Sequence, residues 1–138
     1  MLSFTPRAAC VFVCCLLPAC DAGERAARSE AAAVSRAIDA VRNADNAVKS
    51  RPLAALRGTA CSVADICAVL SYCVAAYEQH VGALELLARV KASVATAPAA
   101  SVAATLAEAE QSLGRAKTST DECATRQGQM ARHYRVAR

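Results

Sequence analysis

The chain contains no tryptophan, and aromatic residues make up only 4% of its 138 residues. Proteins that hold single-stranded nucleic acid usually stack its bases on aromatic side chains, so this composition leaves little surface for that purpose. The formal net charge of +4 is also too small to favour binding to a phosphate backbone. We therefore predict no nucleic acid among the partners of this protein.

The motifs that usually carry catalysis are missing as well. The sequence has no glycine-rich phosphate loop, no nucleophile elbow around a serine, and neither Cys-x-x-Cys nor Cys-x-x-Cys-His. Two carboxylate pairs, Glu108/Glu110 and Asp121/Glu122, are spaced too closely to share one helix face, so we interpret them as solvated. The sequence therefore predicts no catalytic residue, no cofactor and no enzyme.

Glycine and proline are scarce, with five and four residues, whereas hydrophobic residues make up 55% of the chain and many of them are alanine. Alanine loses no side-chain entropy in a helix, and glycine loses the most backbone entropy, so the composition predicts an all-α fold. Buried alanines contribute little apolar area, which makes the core of a small alanine-rich bundle thin. Cross-links commonly compensate for such a core.

The first twenty residues differ from the rest of the chain. A short segment with one positive charge, Met1–Arg7, precedes an uninterrupted apolar run, Ala8–Leu17. This run is too short to span a bilayer, which takes about 20 residues, but it has the length of the apolar region of a secretory signal peptide. Polar sequence begins directly after it, at Asp21. We predict a signal peptide over residues 1–19.

The end of this segment, Leu17-Pro18-Ala19-Cys20, resembles the lipobox of bacterial lipoproteins. In that family an aliphatic, a variable and a small residue precede a cysteine, and Leu17, Ala19 and Cys20 match the defined places. The resemblance implies cleavage before Cys20, attachment of lipid to its sulfur, and a short linker over residues 20–23. It implies export to the cell envelope and anchoring of the chain to a bacterial membrane by acyl chains such as palmitate. The alternative is ordinary secretion without lipid, after cleavage near Ala19 or Ala22.

Two breaks divide the remaining chain into helical segments. The first runs from Arg51-Pro52 to Thr59, and the second is Ala97-Pro98-Ala99. They predict a bundle domain over 24–134 with helices at about 24–49, 62–96 and 99–134, followed by a basic tail over 135–138. A short helical turn is expected over Pro52–Leu56. The sequence Ser62-Val63-Ala64-Asp65 resembles a capping box and supports a helix start there.

The second and third helices carry stripes that step by three and four residues, the spacing of helices that pack side by side. The stripe of the second helix comprises Ile66, Leu70, Cys73, Tyr77, His80, Leu84, Leu87, Lys91 and Val94. The stripe of the third comprises Val102, Leu106, Ala109, Leu113, Ala116, Thr120, Cys123, Gln127, Met130 and Tyr134. Folding the chain back at Pro98 makes Val94 face Val102, and Cys73 face Cys123.

The first helix carries a weaker stripe of Val34, Ile38, Val41 and Val48. We expect this stripe to lie on another face of the second helix, near Val63, Val74 and Val81. The three segments together predict an elongated antiparallel three-helix bundle with disulfide staples.

The eight cysteines fall into groups. Cys10, Cys14 and Cys15 lie in the predicted signal peptide and Cys20 is the predicted lipidation site, which leaves Cys61, Cys67, Cys73 and Cys123. An even number in an exported domain predicts disulfides. The helix register pairs Cys73 with Cys123, and this leaves Cys61 to pair with Cys67 if Cys61 lies in the loop before the helix. The spacing lacks the closer intervals of zinc ligands, so we predict no metal site.

Two features suggest binding. Tyr77 and His80 lie one turn apart, opposite the small residues Ala116 and Thr120, which leave room for a ligand pocket; a packed, hydrogen-bonded histidine is the simpler interpretation. The stretch over 126–138 is basic and has no acidic residue. We interpret it as a helix end whose charges complement the helix dipole, with contact to an anionic lipid, a cell-wall polymer or an acidic partner as the alternative.

The functional prediction follows from the anchor, the long stapled helices and the missing catalytic motifs. We expect a membrane-anchored lipoprotein of the cell envelope that acts as a structural or protein-interaction module, with another envelope protein as its partner. The alternatives are a small-ligand-binding helical bundle with a pocket near Tyr77 and His80, and an ordinary secreted helical protein without lipid.

Overall fold

The computed structural model describes the backbone of residues 17–137 and the side chains of residues 22–137. These residues form four α-helices and no strand: α1 (Leu17–Asn43), α2 (Ser50–Arg57), α3 (Ala64–Ser93) and α4 (Ala99–His133). The prediction of an all-α chain is therefore confirmed. The predicted signal peptide lies outside the described residues, apart from the backbone of its last three, and so does the side chain of Cys20.

Four helices are present in the described chain, where the sequence predicted three and a short helical turn over Pro52–Leu56: that turn is a full helix, α2, which lies in the first predicted break. Helix α1 begins at Leu17, runs through the predicted linker and ends at Asn43, before the predicted end at Lys49. Asparagine and aspartate side chains compete for backbone hydrogen bonds, and Asn43, Asp45 and Asn46 lie where α1 stops. A single 3-10 turn, Asn46–Val48, then leads into α2. Pro52 lies in the first turn of α2, where a missing N–H is tolerated.

Helices α3 and α4 form an antiparallel hairpin with the predicted register at its cysteines. The Cα atoms of Cys73 and Cys123 are 5.1 Å apart and a disulfide joins the two residues. Near them, the Tyr72 hydroxyl donates a 2.7 Å hydrogen bond to Glu122 Oε2, and the Ser119 hydroxyl donates a 3.0 Å bond to Gln79 Oε1. The hairpin turn lies at Pro98, directly before α4.

The seam departs from the prediction towards the turn of the hairpin. Val94, predicted to face Val102, is 62% exposed, whereas Ala83 and Val90 are buried although neither belongs to the predicted stripe. Ala83 and Val90 are seven residues apart, and each lies one position before a residue of the predicted stripe, Leu84 and Lys91. Towards the turn, the contact line of α3 therefore runs along the neighbouring face and leaves Val94 exposed.

The main core lies at the other end of the hairpin, where α1 and α2 pack on α3 and α4. Three residues of the predicted first-helix stripe, Val34, Ile38 and Val41, are fully buried, and Leu53 and Leu56 of α2 complete this part of the core. The expected neighbours Val63, Val74 and Val81 pack against the same cluster. Val48 is 55% exposed, because the chain has already left α1 at that point, so its predicted place in the core is wrong.

Candidate anion-binding site

A groove of about 780 Å³ runs between α1 and the C-terminal end of α4. Its α1 wall consists of residues that recur every three or four positions, which places them on one helix face. Its α4 wall consists of Gln127, Ala131 and the residues that follow the helix. The volume lies within the range of small-molecule sites in proteins.

The groove is strongly basic. One carboxylate, Asp39, lies among five lining arginines, which are Arg25, Arg28, Arg36, Arg42 and Arg135. Asp39 is already engaged, because Arg42 Nη1 donates to it over 2.8 Å and Gln127 Nε2 over 3.0 Å. Among the described residues, no ion pair engages Arg36 or Arg135. Guanidinium groups without carboxylate partners are suited to carboxylates and phosphates, which they bind in bidentate fashion.

Gln127 fixes the two walls to each other. Its side chain is 5% exposed, and its amide nitrogen donates a 3.1 Å hydrogen bond to the backbone oxygen of Ser35 in addition to the bond to Asp39. Its amide oxygen accepts a hydrogen bond from Arg42. All three bonds cross from α4 to α1, so the width of the groove is set by a buried and fully engaged amide.

Two buried polar atoms of the groove have no hydrogen-bond partner. They are the hydroxyl oxygen of Ser35, whose residue is 7% exposed, and Nε of Arg28. The terminal Nη2 of Arg28 donates a 3.0 Å hydrogen bond to Glu24 on the adjacent turn, so only part of this guanidinium is engaged. Buried polar atoms are nearly always hydrogen-bonded in native structures, so two unpaired ones in a single groove are unusual.

Arg135 reaches the groove from a left-handed backbone conformation. Its φ angle is 52°, the only positive φ of a non-glycine residue in the described chain. The backbone N–H of Arg135 donates to the Arg132 carbonyl and that of Val136 to the Ala131 carbonyl, the two hydrogen bonds of a Schellman motif. Glycine normally occupies this place, because a Cβ is disfavoured there. An arginine is therefore held in a strained conformation where the chain enters the groove.

Arginines in a concave site of this kind are suited to holding an anionic group. The prediction treated the basic stretch over 126–138 as a charged helix end and named no site in α1. A signal for α1 was nevertheless present, because Arg25, Arg28, Arg36 and Arg42 fall on one face at helical spacing. The unpaired Ser35 hydroxyl and the φ of Arg135 have no counterpart in the sequence pattern.

Both predicted disulfides are present. Cys61 and Cys67 are joined, with Cα atoms 5.5 Å apart, and Cys61 lies in the loop before α3, as that pairing requires. The sulfurs lie near the Glu30 carboxylate, with all three possible ligand atoms within 4.8 Å of one another. Metal ligation needs thiolates, and here both sulfurs are consumed in the disulfide.

Glu30 instead fixes the start of α3. Its carboxylate accepts hydrogen bonds from the Ser62 hydroxyl, the Ser62 N–H and the Val63 N–H, at 2.6, 2.7 and 2.9 Å. These bonds, led by that from the Ser62 hydroxyl, lower the pKa of Glu30. The predicted capping box at Ser62 is therefore wrong: α3 begins at Ala64, and the Ser62 hydroxyl is turned to Glu30 of α1. Asp65 instead accepts a 2.8 Å bond from the Tyr134 hydroxyl.

The predicted pocket residues Tyr77 and His80 do not line the groove. Tyr77 is buried at 4% exposure, which raises the pKa of its hydroxyl, with the Arg42 charge acting in the opposite direction. His80 is half-buried, and burial followed by the positive charge of Lys49 lowers its pKa. Both therefore lie in or beside the packed core.

The fold and groove together define a disulfide-stapled all-α protein with an arginine-lined cleft. Comparison of the chain with protein-family models, with curated proteins and with solved structures found no match. No helix among the described residues is long and apolar enough to cross a membrane.

Proposed function

We propose that this protein is a membrane-tethered interaction module of a bacterial envelope, and that its arginine-lined groove receives an anionic group of its partner. The tether is the lipid on Cys20, and the partner is an envelope protein or another acidic envelope component. The three long helices, α1, α3 and α4, serve as one elongated bundle, and α2 packs between α1 and α3.

The groove is the observation that carries this proposal. Five arginines surround a single carboxylate that is already engaged by Arg42 and Gln127. An excess of positive charge in a concave site attracts anions and accelerates their encounter. The groove also belongs to α1, the helix whose first turn contains Cys20, so its partner is met close to the membrane surface.

The disulfides support the proposed localisation in the cell envelope. Cys61–Cys67 and Cys73–Cys123 are both formed, and disulfides persist in oxidising compartments such as the bacterial periplasm. An acyl-modified Cys20 at the N-terminus of the mature chain accounts for tethering without a membrane-spanning helix.

The proposed localisation and lipid anchor are tested by the intact mass of protein purified from its native membrane, with and without reduction and alkylation. We expect a chain that begins at Cys20, carries added acyl mass, and exposes four further thiols only after reduction. A chain that begins near Ala19 or Ala22 without acyl mass would replace the tether with ordinary secretion. A chain that begins at Met1 with free thiols would contradict export altogether.

The binding role is tested by calorimetric titration with inorganic phosphate at low salt. Reversing two groove charges with Arg28→Glu and Arg36→Glu should abolish the heat of binding. The matched control is Arg89→Glu with Arg115→Glu. This double variant changes the net charge equally, but its two residues lie on α3 and α4 outside the groove. Equal losses in the two double variants would show that only net charge matters, and the groove would then have no specific role.

The second candidate function is a small-ligand pocket near Tyr77 and His80. The partial exposure of His80 is the observation in its favour. It predicts that a ligand protects His80 from modification by diethyl pyrocarbonate, whereas the groove variants leave that protection unchanged.

A further inference from the structure

The unpaired hydroxyl of Ser35 points to a ligand. Ser35 lines the groove, is 7% exposed and has no hydrogen-bond partner for its Oγ. A buried hydroxyl without a partner is unfavourable, and an alanine at this position would avoid the penalty. The arrangement is accounted for if the hydroxyl donates to a group that enters the groove from outside.

The surroundings of Ser35 indicate what that group is. Arg28 lies two turns away on the same face of α1, and its buried Nε also lacks a partner. Ala32 lies between the two residues and lines the groove with only a methyl group. A hydroxyl donor and a guanidinium donor on one helix face, with only the methyl group of Ala32 between them on that face, suit an oxyanion such as a phosphate or a carboxylate.

Arg135 adds a donor from the opposite wall. Its left-handed backbone is unfavourable for an arginine, and unusual strain of this kind is concentrated at functional sites. A glycine would relieve the strain but would also remove the guanidinium. The conformation therefore places a positive charge at the groove in a position where the fold alone favours glycine.

The remaining lining is apolar. Ala131, Val136 and Ala137 of the α4 wall contribute methyl groups, and Val136 packs against the hydrophobic core. A small inorganic anion would leave this part of the groove in contact with water. A ligand with an apolar body covers it, and each buried methylene adds to affinity.

We infer that the groove binds an amphiphilic oxyanion, with a phosphate or carboxylate head between Arg28 and Ser35, Arg135 across from it, and an apolar body along Ala131 and Val136. This inference rests on the proposed anion-binding role and specifies the class of ligand. The head belongs either to a lipid headgroup at the membrane surface or to a soluble amphiphile, which share this chemistry.

The direct test is calorimetric titration of the full chain, carrying Cys20→Ser so that no acyl chain of its own competes. We expect n-hexyl phosphate to bind with one-to-one stoichiometry and at least about tenfold more tightly than inorganic phosphate, since burial of two or three methylenes suffices for that difference. Equal affinity for the two would overturn the inference, whereas the anion-binding role would stand as long as phosphate itself binds.

Ser35→Ala separates a ligand contact from a structural role. We expect this variant to bind hexyl phosphate about tenfold more weakly, because a hydrogen bond to a charged group is lost. Its melting temperature should be unchanged or higher, because an unpaired buried hydroxyl has been removed. The control is Ser71→Ala on the exposed face of α3, which should change neither quantity. Unchanged affinity in Ser35→Ala would overturn the assignment of the head to Ser35.

Vesicle flotation distinguishes the two sources of the ligand. The Cys20→Ser chain is mixed with phosphatidylcholine vesicles that contain or lack phosphatidylglycerol. Flotation only with the anionic vesicles, reduced by Ser35→Ala, identifies a lipid headgroup. Binding of hexyl phosphate without Ser35-dependent flotation identifies a soluble amphiphile. If neither probe binds in a way that depends on Ser35, the inference is overturned.

Discussion

The side-chain ammonium of Lys49 lies 2.9 Å from the backbone carbonyl oxygen of Val41 and donates a hydrogen bond to it. A second bond, of 3.2 Å, goes to the carbonyl of Arg42. These are carbonyls of the last turn of α1, which lack partners within the helix. Lys49 is only 5% exposed, so a buried cation from the following turn closes α1 and complements its dipole.

Replacing this cation should therefore destabilise the fold. Lys49→Met keeps the length of the side chain but leaves two carbonyls at the end of α1 without their donor. We expect the free energy of unfolding to fall by about 1–3 kcal/mol, as measured by urea denaturation. Lys91→Met, on the exposed face of α3, is the control and should change stability by less than about 0.5 kcal/mol. Equal effects of the two substitutions would contradict the capping role of Lys49.

Lys49 also affects the titration of His80. Burial and the Lys49 charge lower the pKa of His80 below its ordinary value of 6.5. Between the lowered folded pKa and 6.5, the unfolded chain binds a proton that the folded chain does not, so the free energy of unfolding decreases as the pH falls through this window. His80→Gln should reduce the difference in urea midpoint between about pH 7.5 and about pH 5. An unchanged difference in His80→Gln would contradict a lowered pKa of His80 in the folded chain.

The sequence predicted the helix pair better than it predicted the first segment. The register of α3 on α4 follows from periodicity, because Cys73 and Cys123 occupy equivalent places in two stripes that were identified separately. The end of α1 at Asn43 depends on Asn43 and Asp45, whose effect on a helix is small, whereas the apolar stripe of the sequence continues to Val48. The exposure of Val94 follows from a contact line through Ala83 and Val90, one position away from the heptad stripe, and a heptad pattern alone does not specify that shift.

Most of the candidate site could not be predicted from the sequence pattern. An arginine stripe on α1 was visible, but a charged face is usually solvated, and only the tertiary structure brings it against α4. The pairing across the groove depends on Gln127, which the stripe of the third helix included as a seam position without a role. Whether a hydroxyl such as that of Ser35 is paired is a property of the folded state, since most helical serines bond to a backbone carbonyl or to water.

The two disulfides should differ in their contribution to stability. The Cys73–Cys123 bridge closes a loop with a sequence separation of 50 and the Cys61–Cys67 bridge one of 6. Chain-entropy estimates give about 4 kcal/mol for the longer loop and about 2 kcal/mol for the shorter. We expect the double variant Cys73→Ala/Cys123→Ala to lose more stability than Cys61→Ala/Cys67→Ala in urea denaturation. The reverse order would mean that the Cys61 loop has a greater role in docking α1 than its length suggests.

Gln127 should control the docking of α1 on the hairpin. Gln127→Met preserves the volume but removes the three hydrogen bonds to Ser35, Asp39 and Arg42. We expect a loss of about 2 kcal/mol in unfolding free energy, with faster amide hydrogen exchange in α1 than in the α3–α4 hairpin. Gln129→Met, exposed on the same helix, is the matched control. Uniform acceleration of exchange in all helices would show that α1 does not open separately.

Arg135 should show a conflict between stability and binding. Its φ of 52° is unfavourable for a residue with a Cβ and natural for glycine, so Arg135→Gly should raise the free energy of unfolding by about 1 kcal/mol. The same substitution three residues earlier, Arg132→Gly, lies within the last turn of α4 and should lower it by about 1 kcal/mol.

The affinity of Arg135 variants for hexyl phosphate tests the other side of this conflict. If the guanidinium of Arg135 contacts the ligand head, Arg135→Gly should weaken hexyl phosphate binding by about tenfold even though the protein becomes more stable. Arg135→Asn, which tolerates the left-handed conformation but carries no charge, should weaken binding to a similar extent. A stabilised Arg135→Gly that binds with unchanged affinity would mean that the strained arginine is not retained for the groove. A destabilised one would mean that contacts of its side chain outweigh the backbone strain.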